Sequence, residues 1–225
     1  QNVDAVYCLG DLVGYNVWPN EVIREVRRRK IPTIAGNYDQ GIGLRSGDCG
    51  CAYKTEKEKE MGDLSISYTD SIVKDEERYY LCTLPAHIRV EFQLNEDKMK
   101  LLLVHGSPRK INEYLFEDRD DKSLLRIMKE ADADIMCFGH THKPYHKILS
   151  EGENNALHYR HAINTGSVGK PKDGDPRGCY VVLTINHECS VLNYNAVQVD
   201  FIRFEYDVEK AAKAVEESAL PNEYA

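Results

Sequence analysis

The sequence predicts an α/β fold built around a mixed sheet. Three observations carry this. Short apolar runs of strand length alternate with stretches of helical period through most of the 225 residues. Hairpin-like alternation takes over in the last third. Four of the apolar runs stop in a cluster that joins glycine to a polar side chain, as strands feeding one crevice of an open sheet do.

Taken in order, Ala5–Leu9 reads as a buried strand ending in Gly10-Asp11. A helix then starts at Pro19-Asn20 and carries Val22, Ile23 and Val26 on one face. It closes on Arg27–Lys30, a basic last turn that suits the negative end of the helix dipole. Ile31–Ala35 is a short strand stopped by Gly36-Asn37, and Gly41–Lys59 reads as a long loop. Met61, Leu64, Tyr68 and Ile72 recur at helical spacing, and a second helical piece, Asp75–Leu84, ends at Pro85. Ile88, Val90, Phe92 and Leu94 alternate as in a half-buried strand, Asn95–Lys98 is a hairpin turn, and Leu101–Val104 runs into His105. Ser123 is placed as the cap of a helix carrying Leu124, Leu125 and Met128. Ile135–Phe138 is a buried strand feeding Gly139-His140. Strands are expected near Leu157–Ala162, Cys179–Ile185, Ser190–Asn195 and Phe201–Tyr206, then a helix from Val208 to about Ala219.

Composition excludes several classes. With 29 basic against 37 acidic residues the formal charge is −8, which argues against general nucleic-acid binding. No apolar run approaches the roughly 18 residues of a membrane helix. Seven dispersed cysteines and the lack of a basic-then-apolar leader read as reduced thiols in a cytoplasmic protein. Cys8, Cys82, Cys137 and Cys179 are expected as small buried hydrophobes. The whole of 1–225 is expected to be a single domain, and its start at Gln1 is taken as an internal boundary.

The strand-end clusters bring five donors into view: Asp11, Asn37, His105, His140 and His142. One carboxylate, one amide oxygen and three imidazoles form a mixed N/O set that suits Mn, Fe, Co, Ni or Zn rather than Ca. The Asp11 carboxylate has two oxygens and can bridge two ions, while His140 and His142, two positions apart, do not easily share one. A two-metal site of this kind clamps a phosphoryl group and activates water.

The ordered set Gly10-Asp11-x-x-Gly14, Gly36-Asn37-Tyr38-Asp39, His105-Gly106 and Gly139-His140-x-His142 resembles the calcineurin-like metallophosphoesterase superfamily. Asn164-Thr-Gly-Ser-Val-Gly169 and Asp173-Gly-Asp-Pro-Arg177 are similar to its small bacterial and archaeal phosphodiesterase branch. The resemblance spans about residues 4 to 195. It implies a sandwich of two mixed β-sheets flanked by helices and two divalent metal ions. In it Asp11 bridges the ions, Asn37, His105 and His140 complete one, and His142 belongs to the other. The implied activity is hydrolysis of a small phosphate ester, by preference a diester, by a metal-bridging hydroxide. The implied catalytic residues are Asp11, Asn37, His105 and His140. The same superfamily contains a scaffold protein with an altered metal site, so a catalytically weak binding module is the alternative. The chain is expected as a monomer or homodimer.

Two departures from the family pattern stand out. The Asp-x-His motif that opens the family is absent, and a strand and helix of about 30 residues are expected before Gln1 in the native protein. Tyr38 stands where many members carry a histidine, and a phenol is poorly matched to proton donation near pH 7. Asp39 is expected to orient loop backbone or a ligand. Asp48-Cys49-Gly50-Cys51 resembles a subgroup of these enzymes and is read mainly as loop packing. Arg109 is read as a solvated charge or, less readily, a phosphate ligand. Tyr114 is placed along the crevice, and Arg177 as a brace through Asp173 or Asp175. His146, His158, His161 and His187 are taken as structural or surface residues.

Overall fold

The computed structural model describes residues 2–152 and 157–225. They fall into two compact units, Gln1–Ala86 with Asp207–Ala225, and His87–Tyr206.

The first unit is mostly helical. Its helices are α1 (Pro19–Arg28), α2 (Asn37–Gly43), α3 (Glu56–Ile72), α4 (Asp75–Thr83) and the later α6 (Val208–Glu216). Ile23 of α1, Tyr38 and Ile42 of α2, Ile66 of α3 and Leu81 of α4 meet in one core with Leu12, Val13 and Cys49. The expected strands Ala5–Leu9 and Ile31–Ala35 shrink to one parallel bridge, Cys8 to Thr33. Two hydrogen bonds make it, from Cys8 N–H to the Pro32 carbonyl and from Ile34 N–H to the Cys8 carbonyl. Val6 and Tyr7 are exposed, because an apolar run is buried as a strand only where neighbours cover both of its faces.

Three further expectations in this unit are corrected. The loop foreseen from Gly41 is in part helix: α2 runs from Asn37 to Gly43, and α3 begins at Glu56. The buried stripe of α3 is Gly62, Ser65, Ile66 and Thr69, whereas Leu64 is exposed. These residues share one helical face: Ile66 fills the core, while the small Gly62, Ser65 and Thr69 admit a close neighbour. Cys82 is also exposed, on the outer face of α4.

The second unit holds both sheets. The first has five strands in the order β1-β2-β3-β5-β4: β1 His87–Gln93, β2 Lys98–Val104, β3 Ile135–Phe138, β4 Tyr145–Glu151 and β5 His158–Asn164. Strands β2, β3 and β5 are parallel, while β1 and β4 are antiparallel edges. The second sheet is a simple antiparallel pair, β6 (Gly178–Thr184) with β7 (Gln198–Phe204), rather than a mixed one. Central strands read as unbroken apolar runs because both their faces are covered. Leu101–Val104 and Ile135–Phe138 are wholly buried, whereas β1 alternates. Helix α5 (Asp121–Glu130) buries Leu124, Ile127 and Met128 in the core of Met136, Phe138 and Ala162. Its cap is Asp120, whose carboxylate accepts the Ser123 N–H at 2.8 Å, so Ser123 is the donor of this cap and not the cap residue.

Strand β4 escapes a reading by periodicity because His146, Lys147 and Ser150 interrupt its apolar positions. The strand expected near Ser190–Asn195 is instead a run of turns. Asn193 N–H donates to the Ser190 carbonyl, and Asn195 N–H to the Asn193 side chain. Serine and asparagine offer the backbone local partners that compete with a ladder.

The β4–β5 pairing sets His146 Nε2 3.0 Å from His161 Nδ1. One nitrogen donates and the other accepts, so the pair is satisfied with both rings neutral. Burial, and the neighbouring His146, push the His161 imidazole from 6.5 down to about 4; burial lowers His146 as well. The fold thus favours the neutral form. That contribution is fully present above pH 6.5 and is lost as pH falls from there toward about 4. Thermal melting of the wild type should show Tm falling across this window, and His161→Gln should flatten the fall. An unchanged slope in the variant would assign the acid sensitivity to other groups.

Among the described residues no helix is long and apolar enough to cross a membrane.

Candidate functional site

Among the described residues, seven other than glycine adopt the left-handed backbone: Asp11, Tyr15, Lys30, Arg45, Asp132, His140 and His142. Such a conformation costs on the order of 1 kcal/mol for an ordinary side chain. Three of the seven follow helix ends. Lys30, Arg45 and Asp132 each donate to the carbonyl three residues back, and the next residue donates to the carbonyl five back, closing α1, α2 and α5 with the same motif. The other four lie in loops, and three of them, Asp11, His140 and His142, are donors expected from the sequence.

In the first unit Asp11 follows the Cys8 bridge and Asn37 follows the Thr33 bridge. Fully buried Asp39 holds this turn. Its carboxylate accepts the N–H groups of Asp11 at 2.7 Å, Leu12 at 2.9 Å and Gly36 at 2.9 Å. Asp11 Oδ1 in turn accepts the Tyr38 N–H at 2.9 Å. Position 36 must be glycine, because a Cβ there would lie 2.1 Å from Asp11 Oδ1 and 2.3 Å from the Asp11 nitrogen. Asp39 is therefore an orienting residue for loop backbone, as its position implied. Asn37 Nδ2 donates to the Cys49 carbonyl at 2.8 Å and to Cys51 Sγ at 3.4 Å. The nitrogen end of the amide is thereby committed to the Cys49–Cys51 turn.

Tyr38 sits in the core of the first unit, its ring 4.8 Å from that of Tyr15. Burial pushes its phenol far above the ordinary value, and Tyr15 and Cys51 beside it add to the rise.

In the second unit His105 follows β2 and His140 follows β3, two adjacent parallel strands whose carboxyl ends lie side by side. The Gly139 N–H donates to the His105 carbonyl at 2.9 Å and prolongs that pairing. The two imidazoles come together edge to face at 5.1 Å, and the Tyr114 ring packs on His140 at 4.2 Å. His142 Nδ1 lies 2.6 Å from the Lys170 carbonyl. A carbonyl only accepts, so Nδ1 carries the proton and Nε2 the lone pair, the arrangement that metal-binding histidines show.

Asn164 was not singled out from the sequence as a site residue. It ends β5 and is wholly buried. Its amide donates to the Gly139 carbonyl and to Thr141 Oγ1, both at 2.9 Å, and its oxygen accepts the Gly166 N–H at 3.0 Å. It braces the loop that carries His140 and His142. The available signal was its place at the end of a strand, immediately before Thr165-Gly166. Arg109 is an exposed charge, as its loop position implied, and is ion-paired with Glu113, which also takes the Ser107 hydroxyl at 2.5 Å. Arg177 braces its turn through Asp175 at 2.7 Å, and Asp173 is held by Arg203. His158 is structural, bonded to buried Asp134 at 2.8 Å.

The donor set fits divalent transition metals chemically. Asp11 and Asn37 offer oxygens in the first unit; His105, His140 and His142 offer imidazoles in the second.

The sequence model of the calcineurin-like phosphoesterase superfamily domain matches residues 1–188. The chain is 29% identical over 233 residues to an uncharacterized protein of Methanocaldococcus jannaschii, across 98% of this chain and 84% of the relative. It is similar in structure to a metallophosphoesterase from Sphaerobacter thermophilus, with a TM-score of 0.68 and 24% identity, over 99% of this chain and 87% of that one. It is similar also to a hypothetical protein from Pyrococcus horikoshii, with a TM-score of 0.74 and 20% identity, over 99% and 83%. At these identities the two structures speak for the shared fold.

Proposed function

The chain belongs to the calcineurin-like phosphoesterase superfamily, and from that premise we propose that it is a two-metal hydrolase with a preference for phosphodiesters. Asp11 and Asn37 would supply oxygen donors to the ions, and His105, His140 and His142 would supply nitrogen donors. The ions, when bound, supply Lewis acidity toward the phosphoryl oxygens and activate water for attack. The protein's part is to hold these donors in one protonation state and one orientation. Asp39 holds the Asp11 loop, Asn164 holds the histidine loop, and the Lys170 carbonyl sets the tautomer of His142.

The observation that carries the reading is the orientation of the donors. Asn37 turns its nitrogen to Cys49, and His142 turns its N–H to Lys170, which leaves an oxygen and an imine nitrogen as the metal-facing atoms. The diester preference rests on Tyr38. It stands where a histidine would protonate a poor leaving group, and its ring is packed against Tyr15 and over Gly14.

The test is metal content together with metal-dependent hydrolysis of bis(p-nitrophenyl) phosphate and of a simple alkyl phosphate monoester. About two Mn2+ per chain are expected, with the diester turned over at least about tenfold faster than the alkyl monoester. Brisk alkyl monoester turnover that is lost in Tyr38→Phe would overturn the diester preference. Absence of both metal and hydrolysis would overturn the enzyme and leave a binding role for this fold.

A further inference from the structure

The run Asp48-Cys49-Gly50-Cys51, whose Cys49 carbonyl holds the Asn37 amide, is built as a rigid turn. The Gly50 N–H donates to the Asp48 carboxylate at 2.8 Å. The Ser46 hydroxyl donates to the Asp48 carbonyl at 2.5 Å, and the Ser46 N–H to the Gly41 carbonyl at 3.0 Å. The turn lies directly on α2. A Cβ at position 41 would meet the Asp48 carbonyl oxygen and Cys49 Sγ, both at 2.7 Å, so Gly41 is what permits the approach. Cys49 is buried in the core of the first unit, and its thiol is pushed well above the ordinary value by burial, first, and by Cys51 nearby. It packs rather than reacts.

What the turn presents to α2 is a pair of acceptors. The Cys49 carbonyl takes one N–H of the Asn37 amide at 2.8 Å, and Cys51 Sγ lies 3.4 Å from the same nitrogen. A flipped amide would set Asn37 Oδ1 against the Cys49 carbonyl, two acceptors with no proton between them. The carbonyl and the sulfur together therefore select one of the two amide orientations.

We propose that the Cys49–Cys51 turn is the clamp that orients Asn37, and that Cys51 is a positioning residue for metal binding, acting through the Asn37 amide. The proposal rests on the reading of Asn37 as a metal ligand. Cys51 itself need not touch the ion. Its sulfur stands farther from the backbone than a serine oxygen would, so serine is expected to restore the contact only in part. Partners of this kind typically change metal affinity by about 10–100-fold, and a thioether-like or thiol acceptor belongs at the low end.

The experiment titrates Mn2+ into the full chain by calorimetry, for the wild type, Cys51→Ala, Cys51→Ser, Asn37→Asp and the Asn37→Asp/Cys51→Ala double variant, with melting curves recorded without metal. Cys51→Ala should weaken Mn2+ binding by about tenfold, with Cys51→Ser in between. On the Asn37→Asp background the alanine change should cost nothing more, because a carboxylate has no N–H for the sulfur to hold. A merely structural cysteine would lower Tm and weaken binding equally on both backgrounds, and that result would overturn the proposal. So would wild-type affinity in Cys51→Ala. If Cys51→Ala does not fold, Cys51→Ser alone and on the Asn37→Asp background carries the same comparison. A wild type that binds no Mn2+ would overturn the ligand reading and the clamp together, whereas a wild type that binds and a Cys51→Ala that binds equally well would overturn the clamp alone.

Discussion

Asp39→Ala is expected to destabilise the protein by about 4.5 kcal/mol or more, because hydrogen bonds to a charged group contribute about 1.5–3 kcal/mol each and three are lost at once. The three donors are the backbone N–H groups of Asp11, Leu12 and Gly36, all held by one carboxylate with no exposed surface. Alanine leaves them facing a cavity. Asp39 is also the third residue of α2, where its bond to the Gly36 N–H closes the start of the helix, so the helix end loosens with the loop. Denaturant unfolding should report the loss, with a Tm drop of roughly 10 °C in a chain of this size. Asp39→Asn keeps the volume and one acceptor oxygen and should fall between alanine and the wild type. A loss below about 1 kcal/mol for alanine would mean that water replaces the carboxylate at little cost.

Asp11→Asn and His105→Ala should each lower kcat/KM on bis(p-nitrophenyl) phosphate by about 10²–10³-fold, the equivalent of roughly 3–4 kcal/mol of transition-state stabilisation. Asparagine at 11 keeps Oδ1, which accepts the Tyr38 N–H, so the turn can persist while the negative charge that neutralises the ions is gone. His105 is nearly buried and its ring meets His140, so alanine removes a donor and a wall of its partner together. The Asp11 variant is the cleaner of the two for that reason. Melting of each variant without metal separates lost chemistry from lost fold. Activity within about threefold of the wild type in both would remove these residues from the reaction.

Much of this arrangement is legible along the chain, and the gaps have physical causes. Ile135–Phe138 is a strand with the bounds read from its apolar run, because a short central strand is buried on both faces and the pattern has no competitor. The hairpin turn read at Asn95–Lys98 is equally local, and falls one residue earlier, at 94–97. The role of Asp39 follows from a short acidic side chain three residues after a glycine, where backbone N–H groups at a turn need acceptors. Helix α2 is hidden because it is only seven residues long and carries two glycines, although Tyr38 and Ile42 mark its buried face four residues apart. Strand β4 is hidden by polar residues that a sheet edge tolerates. The buried face of α3 is hidden because three of its four residues, Gly62, Ser65 and Thr69, are small or polar, and only Ile66 carries an apolar signal. Asn164 reads as ordinary until Gly139 and Thr141 are found against its amide.

The sequence by itself determined which donor-type side chains exist and in what order they stand beside or near glycines: a carboxylate at 11, an amide at 37, and imidazoles at 105, 140 and 142. Residue type and the glycines beside them suffice for that, since both act within a few bonds. Only the tertiary structure decided how each of these groups is turned. The Asn37 amide is turned by Cys49, 12 residues away, the His142 ring by Lys170, 28 away, and the Asp11 turn by Asp39, also 28 away. Orientation is set by hydrogen-bond partners that chain folding brings together, and no local pattern encodes them.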